Sequence, residues 1–170
     1  GAAAVNRFIH GGGGYLGTCS GAFMAVATGY NGAVGAKRMI GAQASWVPGV
    51  GTSVARVTSE GAKIFGLPDG DLLELYFANG TLLSPQPDRN EVLHVDLAAC
   101  TPLLQYESII TDQAKHQLPG SGHLRQYPVA AAAGSMGKGR VVVFGPHPEA
   151  SGIECVGLLK RSLLWACRKI

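Results

Sequence analysis

The chain has 170 residues, of which 46% are hydrophobic and 15% charged, and its formal net charge is +3. This length suits one domain with a buried core. The charge is too small and too scattered to predict a nucleic-acid partner or an acidic membrane surface, and both are excluded. The 25 glycines follow no period, which indicates many tight connections and excludes collagen-like sequence.

Membrane spans and disulfides are not predicted. The sequence has no apolar run of about eighteen residues, the length that a spanning helix needs. The four cysteines, at positions 19, 100, 155 and 167, have neither CxxC spacing nor the pattern of a small disulfide scaffold. A reducing, cytoplasmic compartment is therefore predicted, and no cofactor is.

The chain begins with a predicted helix over residues 2 to 9, which leads into a glycine-rich stretch. A short apolar run ends in Gly17-Thr18-Cys19-Ser20-Gly21, and helix-compatible residues follow directly until Gly29. This pattern predicts a strand, a sharp turn and a helix, with Cys19 in the turn. Flanking glycines let the strand and the helix approach each other without a Cβ clash.

Cys19 in such a turn is a candidate nucleophile. The helix behind it directs unpaired amide groups and the positive end of its dipole at the sulfur, which favours the thiolate. The backbone N–H of Ser20 would face the oxyanion that forms when Cys19 attacks a carbonyl. The structural alternative is a buried cysteine in a glycine-rich turn.

The middle of the chain, approximately residues 46 to 100, is predicted to be a β-rich insertion. Strands are predicted over residues 54 to 58, 72 to 77 and 91 to 97. The Ala78-Asn79-Gly80 stretch has the composition of a hairpin turn.

The last third of the chain contains further predicted strands, over residues 103 to 108, 129 to 134 and 140 to 145. A hairpin is predicted to join the last two strands, and an exposed loop is predicted between residues 109 and 126. The run Val141-Val142-Val143-Phe144 is continuously apolar. Such a run is typical of a strand that is covered on both faces of a sheet.

His147 and Glu149 lie between this apolar strand and a final amphipathic helix, for which Ser151 and Glu154 form a capping box. A thiolate needs a base, and the base needs a group that orients it. Because active sites of open α/β sheets form at the C-terminal ends of strands, we expect His147 and Glu149 to lie beside Cys19. The structural alternative is a turn histidine and a carboxylate placed near a helix start.

Two other features are assigned structural roles. The glycine run 11 to 14 lacks both the Lys-Ser/Thr ending of a P-loop and GxGxxG spacing. The histidines at positions 10, 94, 116 and 123 do not have the spacing of metal ligands, so no metal site is predicted.

The glycine-flanked Cys19, followed far downstream by His147-Pro148-Glu149, resembles the class I glutamine amidotransferase-like superfamily, whose members use a Cys-His-Glu triad in this chain order. Within it, the chain is similar to the biotin-protein ligase N-terminal domain family. The stretches that carry this closer resemblance are residues 12–17, 22–23, 76–80, 137–144 and 146–149.

The resemblance implies one domain over residues 1–170, a three-layer α/β sandwich with a mainly parallel, flavodoxin-like sheet. It implies that Cys19 is the nucleophile, that His147 is the general base and acid, and that Glu149 orients His147. Such domains normally open with a strand, a helix and a loop that donates a second oxyanion amide. This N-terminal unit is expected to be missing here, and self-association or a complementing segment is expected to cover the sheet edge.

The resemblance also bears on the substrate. Phe23 stands where glutamine-hydrolysing members usually carry a glutamine that helps to hold the substrate, which weakens glutamine as the substrate. The predicted function is a cysteine hydrolase or amide transferase that acts on a small-molecule or peptide amide or a related carbonyl. The alternative is a catalytically weak binding or regulatory domain of a biotin-protein-ligase-like protein.

Overall fold

A computed structural model describes residues 2–28, 39–85, 99–113, 115–117 and 129–170 of the chain. The strands are β1 (Gly14–Thr18), β2 (Val26–Thr28), β3 (Ile40–Trp46), β4 (Val50–Val57), β5 (Leu72–Ala78), β6 (Thr81–Pro85), β7 (Thr101–Thr111), β8 (Lys115–Gln117), β9 (Val129–Met136) and β10 (Gly139–Phe144). The helices are α1 (Ala2–His10), α2 (Ser20–Ala25), α3 (Ser59–Phe65) and α4 (Ile153–Ala166), and a 3-10 turn covers Pro148–Ala150.

The described strands form one mixed sheet that branches at β9. The main path runs β2-β3-β6-β9-β7-β4-β5, while β10 lies on β9, β1 lies on β10, and β8 lies on β7. The pairs β1–β10 and β2–β3 are parallel. The other pairs among the described strands are antiparallel, and the sheet curls into a half-barrel.

The predicted three-layer sandwich with a mainly parallel, flavodoxin-like sheet is therefore wrong. The Cys19 turn and the apolar strand belong to β1 and β10, which do run parallel. Parallel neighbours need long crossover connections, whereas a tight turn at Gly137 joins β9 to β10 as an antiparallel hairpin. The residues around Cys19 and His147 therefore predict the parallel pair of β1 and β10 correctly. The directions of the remaining strands depend on connections far from these residues in the chain.

Strand β10 occupies the centre of the packing, as its apolar run predicts. Its side chains alternate between two cores. Val142 and Phe144 pack in the core that α3 and α4 cover, and Val141 and Val143 pack in the core that α1 and α2 cover. All four side chains are fully buried, so the prediction of a strand covered on both faces is confirmed.

The segment after β4 forms the helix α3, and Gly61 lies within it. Thr58 caps the N-terminus of α3 by accepting a hydrogen bond from the Gly61 N–H at 3.0 Å. A Cβ at Gly61 would lie 2.1 Å from the carbonyl oxygen of Leu103, so this glycine serves a close approach between α3 and β7.

The predicted hairpin at Ala78-Asn79-Gly80 is also absent from the described strands. Strand β5 pairs with β4, whereas β6 pairs with β3 and β9. The turn therefore carries the chain from one part of the curled sheet to another. The predicted strand at 91 to 97 lies outside the described residues, and so does most of the predicted loop between 109 and 126. In the described part of that loop, β7 continues to Thr111 and pairs with β8.

Within the described ranges, no helix combines the length and the apolar character that crossing a membrane requires. All four cysteines are free thiols. The segment predicted to be a β-rich insertion contributes β4, α3, β5 and β6 to the structure, and its strands belong to the common sheet.

Candidate active site

Cys19 lies in a sharp turn between β1 and α2. Its backbone φ of 47° and ψ of −107° are uncommon for any residue but glycine. The Cys19 N–H donates to the carbonyl oxygen of Phe144 at 2.8 Å, and the Cys19 carbonyl oxygen accepts the Phe23 N–H at 3.0 Å. The predicted strand and turn around Cys19 are therefore confirmed. The helix that follows was expected to run until Gly29, but it ends at Ala25 and the chain continues as β2.

The two glycines that flank Cys19 have different roles. A Cβ at Gly17 would lie 2.8 Å from the carbonyl carbon of Gly21, which is too close for any side chain. A Cβ at Gly21 would have only the Tyr15 hydroxyl nearby, at 3.6 Å. That hydroxyl donates to the Gly21 carbonyl oxygen at 2.9 Å and ties β1 to α2. The close approach of strand and helix thus requires glycine at position 17.

His147 and Glu149 follow β10, whose last residue Phe144 pairs with Thr18 at the end of β1. Because β1 and β10 are parallel, both strands end at the same side of the sheet. The His147 Nδ1 lies 2.8 Å from the Glu149 Oε1, and the two side chains are 21% and 42% exposed. A neutral imidazole that donates its Nδ1–H to a carboxylate has Nε2 free to accept a proton.

The backbone of His147 is anchored to the edge of β5. Its N–H donates to the Tyr76 carbonyl oxygen at 2.9 Å, and the two rings lie 5.8 Å apart. The Ser151 hydroxyl donates to the His147 carbonyl oxygen at 2.8 Å and accepts the Tyr76 N–H at 2.9 Å. Ser151 was predicted to cap the final helix, but that N-cap is Gly152 and has no side-chain hydrogen bond. The hydroxyl instead fixes the segment that carries His147.

Cys19 and His147 meet at one backbone carbonyl. The Cys19 Sγ lies 3.7 Å from the Ala78 carbonyl oxygen and 4.0 Å from that of Asn79. The His147 Nε2 lies 3.4 Å from the same Ala78 oxygen. The structure thus brings the predicted residues Cys19, His147 and Glu149 into one cluster, and their catalytic roles stay predictions.

Thr18 is a member of this cluster that sequence reasoning missed. Its hydroxyl donates to the Glu149 Oε1 at 3.1 Å, the same oxygen that faces His147. Thr18 ends β1 directly before Cys19, so one strand end carries both the candidate nucleophile and a donor that holds the carboxylate. A signal was present, because the last residue of a strand parallel to β10 lies beside the residues that follow β10.

Two further hydrogen bonds link the backbone of Cys19 to β6 and β7. The Thr81 hydroxyl donates to the Cys19 carbonyl oxygen at 3.3 Å, and the Tyr106 hydroxyl donates to the Thr81 carbonyl oxygen at 3.1 Å. Burial raises the pKa of Tyr106 well above its usual value, and the nearby Cys19 adds to this rise. The phenol therefore remains a protonated donor near neutral pH.

Ser20, the predicted oxyanion donor, is the first residue of α2 and is exposed. The N–H of a first helical residue has no acceptor within its helix. Because α2 has only six residues, its dipole contributes less to a thiolate than the longer predicted helix would.

Alkaline pH is expected to lower the free energy of unfolding through Cys100. Burial raises the pKa of its thiol to about 12. An unfolded thiol loses its proton near pH 8.5. The unfolded state is therefore favoured as the pH rises from about 8.5 toward about 12, and the stabilisation is complete only below this range. Urea unfolding at pH 8 and pH 11 measures the loss, which Cys100→Ala should reduce.

The matched control for this experiment is Cys167→Ala, which removes an exposed thiol. It should leave the difference between the two pH values unchanged. An equal difference in the wild type and in Cys100→Ala would contradict the prediction.

Two cavities, of about 440 and about 500 Å³, lie away from the Cys19 cluster. The first is formed by residues of α3, β7, β9 and α4, and the second by residues of β4, β5 and β7. Cys19, His147 and Glu149 line neither cavity, and the exposure of Ser20 and Glu149 places the cluster at the open surface. No group of three candidate metal ligands occurs in the ranges that the structure describes.

The fold belongs to a class of mixed, curled sheets that occurs as one part of larger glycoside hydrolases. The chain is similar to a β-galactosidase from Bacillus circulans sp. alkalophilus, with 11% identity, a TM-score of 0.53, and coverage of 96% of this chain and 20% of that one. It is also similar to Gan42B, a GH42 β-galactosidase, with 12% identity, a TM-score of 0.52, and coverage of 96% and 19%. A cold-adapted β-galactosidase from Rahnella sp. R3 has 13% identity, a TM-score of 0.50, and coverage of 98% and 20%.

These comparisons correct the expected fold family. No family model and no curated protein matches the chain. The chain spans about one fifth of the β-galactosidases, and at these identities the likeness shows the fold alone. It replaces the glutamine amidotransferase-like, α/β description of the fold with a mixed, curled sheet that resembles the sheet of one domain in these β-galactosidases. The resemblance to the biotin-protein ligase N-terminal domain family stays a prediction.

Proposed function

We propose that the chain is a cysteine hydrolase or amide transferase that acts on an amide or a related carbonyl. Cys19 is the nucleophile, His147 the general base and acid, and Glu149 the residue that orients His147. The observation that carries the proposal is the cluster at Ala78, where the thiol and the imidazole Nε2 approach one carbonyl oxygen while Nδ1 faces the Glu149 carboxylate.

The reaction proceeds in two stages. The His147 Nε2 takes the proton of the Cys19 thiol, and the sulfur attacks the substrate carbonyl carbon to form a C–S bond. The resulting oxyanion faces the Ser20 N–H. The C–N bond then breaks as His147 returns the proton to the leaving amine, which leaves a thioester on Cys19. In the second stage His147 takes a proton from water, or from an acceptor amine in a transferase, as that nucleophile attacks the thioester. A C–O or C–N bond forms, the C–S bond breaks, and His147 returns the proton to the Cys19 sulfur, which restores the thiol.

The surroundings of the cluster suit this chemistry. The strained backbone of Cys19 holds the sulfur at the end of β1. The Ser151 hydroxyl bonds the His147 carbonyl oxygen, and the Thr18 hydroxyl bonds the Glu149 carboxylate. The open position of the cluster admits a small molecule or a peptide. A cytoplasmic location is part of the proposal, because reducing conditions keep thiols free and all four cysteines are free thiols.

Glycoside cleavage is not part of the proposal. The β-galactosidases share the fold over about one fifth of their length, at 11 to 13% identity. Function depends on the residues of a site, and a shared fold at this distance does not transfer them.

Site-resolved alkylation with iodoacetamide tests the proposal. Cys167 is exposed and serves as the internal reference in the same sample. At pH 6.5 we expect Cys19 to react at least about 10-fold faster than Cys167, because His147 removes the thiol proton. The His147→Ala variant should lose this advantage. Mass spectrometry of timed digests gives the rate at each cysteine.

A Cys19 that reacts no faster than Cys167, with or without His147, would overturn the proposal. The chain would then be assigned as a catalytically weak binding or regulatory domain. Circular dichroism of the His147→Ala variant shows whether its fold is retained, so that a lost advantage is not a folding effect.

A further inference from the structure

The Ala78 carbonyl lies at the edge of β5 that pairs with no described strand. Among the described strands, β5 pairs only with β4. At its other edge, Tyr76 bonds to His147 and Ser151 through its backbone. Backbone groups two residues apart in a strand point to the same edge. The Ala78 carbonyl therefore projects from the sheet into the space between Cys19 and His147.

This carbonyl has weak donors in the resting structure. The Cys19 thiol, at 3.7 Å, is a weak donor, and the His147 Nε2 lies at 3.4 Å. When Nδ1–H faces Glu149, a neutral His147 carries no proton on Nε2. Once Cys19 has lost its own proton, the thiolate and the carbonyl oxygen face each other with no hydrogen between them. In the proposed mechanism the Cys19 proton moves to the His147 Nε2, which lies 3.4 Å from the Ala78 oxygen. The state that is ready to react thus offers this oxygen one long hydrogen bond and leaves its second lone pair without a donor.

We infer that the Ala78 carbonyl oxygen accepts the amide N–H of the substrate. The site then selects primary and secondary amides over esters and tertiary amides, which have no N–H to offer. This inference rests on the proposed function and names its substrate class. The selection has a simple physical basis, because a substrate without the N–H leaves this second lone pair unpaired and sets its own oxygen or alkyl group against it.

Asn79 is the positioning residue for this carbonyl. Its backbone φ is 47°, a left-handed conformation that asparagine tolerates better than most residues. The Asn79 N–H donates to the Gly49 carbonyl oxygen at 2.7 Å, and its Oδ1 accepts the Gly49 N–H at 2.9 Å. These two bonds hold the turn that follows Ala78 and so set the direction of the Ala78 carbonyl.

Two matched alkylating probes test the inference. Iodoacetamide carries amide N–H groups, and N,N-dimethyl-2-iodoacetamide does not, whereas both form an S–C bond and release iodide. The rate ratio of the two probes at Cys19 is divided by the same ratio at Cys167, which corrects for their intrinsic reactivity. We expect a corrected preference for iodoacetamide of about 3- to 10-fold, the range of one neutral hydrogen bond.

Variants of Asn79 test the positioning role. Asn79→Gly tolerates the positive φ but loses the bond to the Gly49 N–H, and it should reduce the corrected preference to near 1. Asn79→Asp keeps an oxygen acceptor and should keep the preference. If Asn79→Gly kept the full preference, the assignment of Asn79 would be wrong.

The outcomes separate this inference from the proposed function. A corrected ratio near 1, measured on a Cys19 whose fast alkylation depends on His147, overturns the selection of N–H amides and leaves the hydrolase intact. A Cys19 as slow as Cys167 and independent of His147 overturns both.

Discussion

Replacing Gly17 with alanine is expected to lower the free energy of unfolding by about 3 kcal/mol, since overpacking costs of this size arise where rigid atoms block the added group. The new Cβ would lie 2.8 Å from the carbonyl carbon of Gly21 and 2.7 Å from the Tyr15 ring. The backbone of α2 cannot move away from the new Cβ without opening the turn that holds Cys19. Urea unfolding followed by circular dichroism measures the change.

Gly21→Ala is the matched control, because it adds the same methyl group on the other side of Cys19. The added Cβ meets only the Tyr15 hydroxyl at 3.6 Å, an ordinary contact. Gly21 lies within α2, where alanine is favoured over glycine by about 1 kcal/mol, so stability should be unchanged or slightly higher. Equal losses in both variants would show that the close approach at Gly17 is not what destabilises the protein.

Glu149→Gln is expected to reduce hydrolysis of an acyl p-nitroanilide by roughly 1,000-fold, by comparison with the serine-protease triad, where loss of the orienting carboxylate costs about 10⁴ in turnover. The Glu149 Oε1 lies 2.8 Å from the His147 Nδ1 and also accepts the Thr18 hydroxyl. A glutamine that turns its amide nitrogen toward Nδ1 selects the tautomer with the proton on Nε2. That tautomer cannot take the Cys19 proton. Release of p-nitroaniline gives the rate.

Variants of Thr18 test whether the carboxylate must be held in place. Thr18→Val removes the donor at nearly constant shape and should lower the rate about 5-fold, while Thr18→Ser keeps the hydroxyl and should restore it. A Glu149→Gln variant as active as the wild type would remove Glu149 from the mechanism.

The strained backbone conformation of Cys19 is held by hydrogen bonds from neighbouring strands. The residue keeps a positive φ because neighbouring elements hold its backbone: the Phe144 carbonyl oxygen accepts its N–H, and the Thr81 hydroxyl bonds its carbonyl oxygen. Gly17 permits the turn to be this tight. The position of the sulfur is thus determined by β1, β6 and β10 together, although the motif itself is local.

Several expectations based on local patterns were confirmed, whereas the hairpin at Ala78-Asn79-Gly80 and the helix cap at Ser151 were wrong. Glycine spacing predicted the turn at Cys19, the apolar run predicted a buried β10, and the turn chemistry between β9 and β10 predicted their hairpin. Each of these features depends on residues close together in the chain. The juxtaposition of Cys19 and His147 was also predicted, because residues that follow two parallel neighbouring strands share one side of a sheet.

The sequence by itself determined the local turn, the buried strand and the candidate triad, because backbone conformation and hydrophobic periodicity act over short distances. Only the tertiary structure decided that most described strand pairs are antiparallel and that the Ala78 carbonyl faces the cluster. It also decided that the Thr18 hydroxyl bonds Glu149 and that the Ser151 hydroxyl bonds the backbone of His147. These features require β5 and the segment after β10 to meet across a curled sheet. Strand order and edge contacts depend on which distant segments pack together, and no local pattern encodes that choice.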